Sequence, residues 1–105
     1  MEEFSFKGED GVRIKFSDIK GKRLLILYDT KCNACKELME ELSETELPAD
    51  LSIVKAAFDI NPKLNGEVFA IRHSPEVFLV AADGTVLAKH LYSVEKIQEA
   101  LADAE

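Results

Sequence analysis

Two cysteines, Cys32 and Cys35, are the only thiols in the chain, and they stand as Cys32-Asn33-Ala34-Cys35. They follow an apolar run, Leu24 to Tyr28, and open a segment with helical periodicity. Two thiols at this spacing exchange electrons with a disulfide. Both sulfurs fall on the first turn of a helix, where unpaired backbone N–H groups and the helix dipole favour the thiolate. A purely structural bridge would close so short a loop that it contributes only about 2 kcal/mol. Zinc is half supplied by two thiolates, and His73 and His90 stand at no ligand spacing from them. No metal and no cofactor is expected.

The elements that position this pair are read from patterning. At 105 residues the chain is expected to form one domain, residues 1–105, with a modest core. Hydrophobic residues make up 47% and charged residues 31%, as in ordinary globular proteins. Twenty acidic residues against 13 basic ones give a net charge of −7, which argues against nucleic acid as a partner because phosphates are repelled. Met1-Glu2-Glu3-Phe4 lacks the basic and apolar regions of a signal peptide, and no stretch approaches about 18 apolar residues. No membrane segment is expected. A cytoplasmic setting is the simplest reading, with a soluble domain of an extracytoplasmic thiol oxidoreductase as the alternative.

Val12, Ile14 and Phe16 alternate after Asp10-Gly11, which predicts a first strand entered by a tight turn and paired with Phe4 to Phe6. Leu24-Leu25-Ile26-Leu27-Tyr28, bounded by charge, predicts a central strand buried on both faces. From Cys35, Leu38, Met39 and Leu42 share a helical face, and Pro48 marks where that helix has ended. Leu51 to Phe58 predicts another strand. Asn61-Pro62 then predicts a helix start, with Leu64 and Val68 on the buried face and Gly66 weakening it. Val77 to Val80 and Val86-Leu87 flank Asp83-Gly84, a hairpin signal in which both turn residues tolerate positive φ. Ser93 is placed to cap a last helix with the stripe Val94, Ile97, Leu101 and Ala104. The fold class is α/β, with the dithiol at the carboxyl end of the central strand, where chemistry gathers in open α/β sheets.

These residues resemble thioredoxin and its relatives over nearly the whole chain. The resemblance rests on Cys32 to Cys35 with Lys36 after it; on Ile53 to Pro62, including Lys55; on Ala70-Ile71-Arg72-His73-Ser74-Pro75; and on the hairpin through Asp83-Gly84. It implies a thioredoxin fold, a central mixed β-sheet flanked by helices. It further implies a cis bond between Ser74 and Pro75, beside the sulfurs, whose backbone edge pairs with an extended substrate strand.

The resemblance implies a protein thiol–disulfide oxidoreductase in electron transport and cell redox homeostasis, with Cys32 as nucleophile and Cys35 as resolving thiol. Its partners are disulfide-containing proteins and a recycling reductase or oxidase. Lys31, Asn33, Ala34, His73, Ser74 and Pro75 are expected to line the substrate site, with Lys31 and Lys55 tuning the thiol pKa values. An ordinary loop role for His73 and a solvated one for Lys31 or Lys55 are the alternatives, and His90 reads as structural.

Some positions depart from the family. Lys31 replaces its usual tryptophan, Asn33-Ala34 its usual Gly-Pro, and Ile26 a buried acidic residue that helps deprotonate the second thiol. The amino-terminal Phe4-Ser5-Phe6 to Lys22 stretch looks like the opening of membrane-anchored thiol oxidoreductases. The step from Cys32 to Pro75 has no room for the extra strand and helix which that branch carries. Two other functions compete. One is a non-catalytic adaptor binding protein through the Pro75 edge; the other is a glutaredoxin-like enzyme, for which no basic cluster awaits the glutathione carboxylates.

Overall fold

In the computed structural model, residues 1–71 and 73–104 are described. Arg72, quoted within the segment before Pro75, lies outside them. Strands β1 (Ser5–Lys7) and β2 (Arg13–Lys15) pair antiparallel with Phe6 opposite Ile14. The turn between them closes through Gly11, at φ 83°, whose N–H donates to the Gly8 carbonyl at 2.9 Å. Only the centre of the expected Val12-Ile14-Phe16 alternation is strand. Val12 belongs to the turn and is exposed, and Phe16 opens a 3₁₀ turn, Phe16–Asp18, buried with Phe4 and Phe6. The Asp10-Gly11 turn consumes the residues that a longer strand would need.

Strand β3 (Lys22–Tyr28) is central in a four-stranded sheet that also holds β4 (Leu51–Ala57), β5 (Glu76–Val80) and β6 (Val86–Lys89), ordered β4-β3-β5-β6. β4 runs parallel to β3, whereas β5 runs antiparallel to both β3 and β6. The class is α/β with a mixed sheet. Leu24, Ile26 and Tyr28 face one way, into a cluster with Leu38, Leu42, Leu79, Ile97 and Leu101. Leu25 and Leu27 face the other way, against Phe4, Phe6, Phe16, Val54 and Val80. Burial on both faces explains the unbroken apolar run, each such side chain contributing about 1.5–3 kcal/mol. Arg23, read as a charge bounding the strand, is buried instead. Its Nη1 donates to the Phe16 carbonyl at 3.1 Å and its Nη2 to that of Ala81 at 2.8 Å, with the guanidinium 4.3 Å over the Phe16 ring.

Helices α1 (Asn33–Ser43) and α2 (Val94–Asp103) cover the first face. In α1, Leu38 and Leu42 are buried and Met39 half-buried; in α2, Ile97 and Leu101 are buried. Ser93 caps α2, its hydroxyl accepting from the Lys96 N–H at 3.2 Å. The β5–β6 turn places only Gly84 at positive φ, 93°. The Asp83 carboxylate accepts from the Thr85 N–H at 3.0 Å, and the turn closes with the left-handed Gly84.

The helix expected from Asn61 through Val68 is not formed. Pro62–Leu64 makes a single 3₁₀ turn; Leu64 is buried, and Val68 is exposed. Gly66 at φ 101° leaves helical geometry, and its N–H donates to the Phe69 carbonyl at 2.6 Å. The Asn61 side chain gives no helix cap. It bridges instead to β1, accepting from the Lys7 N–H at 2.6 Å and donating to the Lys7 carbonyl at 2.9 Å. Among the described residues no helix is long and apolar enough to cross a membrane.

Candidate functional site

The chain leaves β3 at Tyr28 and enters α1 through Asp29-Thr30-Lys31, a loop held at several points. The Asp29 carboxylate accepts from the Lys31 N–H at 2.8 Å, and the Asp29 carbonyl accepts from the Cys32 N–H at 3.0 Å. Thr30 fastens the loop to the exit of β4. Its N–H donates to Asp59 at 3.2 Å and its hydroxyl donates to the same carboxylate. The Thr30 hydroxyl bond is the main cause that holds the Asp59 carboxyl below its ordinary range.

This loop delivers Cys32 as the N-cap of α1. Its sulfur accepts from the Cys35 N–H at 3.2 Å, in the place a serine or aspartate oxygen would take. Cys32 is half-buried, whereas Cys35, one turn in, has no solvent exposure. Opposite them runs the Ser74–Pro75 segment, whose peptide bond is cis. The Ser74 hydroxyl lies 3.0 Å from the Cys35 sulfur, and the Ser74 carbonyl lies 3.8 Å from that of Cys32.

The two thiols are driven apart in acidity. Cys32 is held below the ordinary thiol pKa, first by its interaction with Cys35, then by Ser74 and by backbone N–H groups of the helix start. Cys35 is pushed up, chiefly because burial penalises its charge and because Cys32 stands beside it. The accessible sulfur is thus the more readily ionised one. That pairing of access with acidity suits nucleophilic attack by Cys32 and delayed entry of Cys35.

Of the other residues expected at the site, Asn33 and Ala34 form the exposed first turn of α1, and Lys31 is exposed on the loop before it. Ser74 adjoins both sulfurs, and Pro75 follows it through the cis bond. His73 is exposed, its Nδ1 3.4 Å from the Pro75 carbonyl. Lys55 is exposed on β4, lining an open cleft with Glu9, Tyr28, Lys36 and Glu40. Neither Lys31 nor Lys55 is among the main influences on either thiol. Ile26 is fully buried in the apolar cluster that holds Cys35. The Thr30–Asp59 anchor escaped sequence reading, as did Glu76 and Tyr92; His90, read as structural, bonds the Glu76 carboxylate. A charge directly after Pro75, opening an apolar strand, was the one available signal for Glu76.

No protein-family model and no curated protein matches this chain in sequence. Solved structures do match it in three dimensions. The C-terminal domain of an uncharacterized protein from Bacteroides fragilis superposes with a TM-score of 0.78 at 18% identity, covering 96% of this chain and 93% of that one. The exposed lipoprotein thioredoxin of Streptococcus pneumoniae gives 0.72 at 19%, covering 97% and 99%. Mitochondrial thioredoxin 3 of Saccharomyces cerevisiae gives 0.68 at 21%, covering 83% and 82%. Sheet order, helix placement and these superpositions agree: the chain has the thioredoxin fold.

Proposed function

We propose that this chain is a protein thiol–disulfide oxidoreductase working through Cys32 and Cys35. The observation that carries the reading is the N-cap position of Cys32, half-buried and acidified, with Cys35 sealed one turn behind it. Thioredoxins among the structural neighbours lend support from the fold.

In the reducing direction the Cys32 thiolate attacks one sulfur of a substrate disulfide. A Cys32–substrate disulfide forms, the original S–S bond breaks, and the departing thiolate takes up a proton. Cys35 then loses its proton and attacks the Cys32 sulfur, releasing the second substrate thiolate and leaving a Cys32–Cys35 disulfide. Two electrons have passed to the substrate. The same steps reversed oxidise a substrate dithiol, and the reduction potential sets the direction. Lys31, Asn33, Ala34, His73, Ser74 and Pro75 border the substrate, whose extended strand pairs with the Ser74–Pro75 backbone. A reductase or oxidase restores the starting state.

Insulin reduction by dithiothreitol tests the reading. Turnover should rise above background with the wild-type chain and vanish in Cys32→Ser, while reduced Cys35→Ser, mixed with insulin after dithiothreitol is removed, should accumulate a mixed disulfide through Cys32. Equal rates with and without the chain would overturn the enzymatic reading in favour of an adaptor binding through the Pro75 edge.

A further inference from the structure

Glu76 stands immediately after Pro75 at the start of β5, with 3% of its surface exposed. A carboxylate in such a place is costly unless its oxygens are bonded. Its partners come from the far end of the β5–β6 hairpin. His90 Nδ1 lies 3.1 and 3.0 Å from its two oxygens, and the Tyr92 hydroxyl donates to one of them at 3.4 Å. His90 reaches this position at φ 60°, left-handed backbone that a residue with a Cβ occupies at a cost of about 1–2 kcal/mol. Glycine would remove that cost but could not make the bond.

Tyr92 passes the arrangement back to the site. Its ring packs against that of His73 in a tilted pair, 4.1 Å between centroids and 31° between planes, and His73 in turn reaches the Pro75 carbonyl. The circuit runs from Glu76 through Tyr92 and His73 to the peptide segment from which it started. Yet Tyr92 is 40% exposed and His73 is exposed, so the group contributes little to the core. A rigid aromatic surface is held from beneath, next to the edge that accepts substrate. Fixed aromatic side chains bind polypeptide at low entropic cost.

We infer that Tyr92, with His73 packed against it, is a specificity-determining wall for polypeptide substrates, and that Glu76 is the positioning residue that holds it. The inference rests on the oxidoreductase reading and deepens it by locating where polypeptide disulfides are favoured over small ones. On this inference a small disulfide depends on the Cys32 sulfur alone and not on the wall.

The test compares insulin with Ellman's reagent, a small aromatic disulfide, for Tyr92→Ala, Tyr92→Phe and Glu76→Gln. Tyr92→Ala should raise KM for insulin about tenfold with kcat unchanged, as expected for a lost aromatic contact. The rate with Ellman's reagent should not move. Tyr92→Phe and Glu76→Gln should raise the same KM by less, and Glu76→Gln should add nothing in a Tyr92→Ala background. Should Glu76→Gln fail to fold, His90→Gln, altered at a largely exposed side chain, takes its place in the coupling arm. Unchanged KM, equal losses on both substrates, or additive effects in the double variant would overturn the inference. Wild-type inactivity toward insulin would instead overturn the functional reading, and this inference with it.

Discussion

The Cys35 sulfur and the Ser74 hydroxyl lie 3.0 Å apart, although the two residues belong to opposite sides of the cleft. The Ser74 hydroxyl lowers both thiol pKa values. Ser74→Ala should therefore raise both, leaving less Cys32 thiolate at neutral pH. The alkylation profile of Cys32 should move to higher pH, and that of Cys35 with it. Iodoacetamide rates across pH give each midpoint directly, and midpoints unmoved at both cysteines would contradict the role of the Ser74 hydroxyl.

The wild-type pH profile follows from the same shifts. Only the thiolate is alkylated, so the rate at Cys32 should hold as pH falls past the ordinary thiol value of about 8.5 and decline only through the lower, depressed pKa. Cys35 should react only at higher pH and slowly, being both raised and sealed. Lys31→Ala should move the Cys32 midpoint less than Ser74→Ala does, and only at low salt, because the Lys31 charge is exposed and screened. Mass-resolved alkylation at each cysteine separates these outcomes.

Two apolar truncations distinguish the helix that forms from the one that does not. Ile97 is fully buried on α2, and Ile97→Ala should destabilise by about 2–5 kcal/mol through lost burial and a residual cavity. Val68 shows 41% exposure, and Val68→Ala should stay within about 0.5 kcal/mol. Urea midpoints of the two variants decide; similar losses would mean that residues 62–68 do pack as a helix.

Gly66 sits at φ 101° with no heavy atom within 4 Å of where a Cβ would stand. Gly66→Ala therefore meets no steric neighbour and should lose about 1–2 kcal/mol from backbone conformation alone. Were Gly66 merely a weak helix residue, alanine would stabilise the chain instead. Thermal unfolding gives the sign.

Periodicity and turn chemistry made β3, α1, α2 and the Asp83-Gly84 hairpin readable, because their burial follows from spacing along a local segment. The cysteine spacing likewise marked the site, since a helix start brings Cys32 and Cys35 together without help from elsewhere. Local patterning misled at residues 62–68. There Leu64 and Val68 fit a helical face, but a left-handed Gly66 and the Asn61 bridge to Lys7 compete with the helix.

From residues in order come a buried central strand, a dithiol at its carboxyl end and the helix start that brings the two sulfurs together. Folding in three dimensions decided that Ser74 meets Cys35, that Asp59 anchors Thr30, and that Glu76 gathers His90 and Tyr92. Each of those contacts joins side chains far apart in the chain through hydrogen bonds. Such bonds depend on where strands and loops converge and leave no period in the sequence to read.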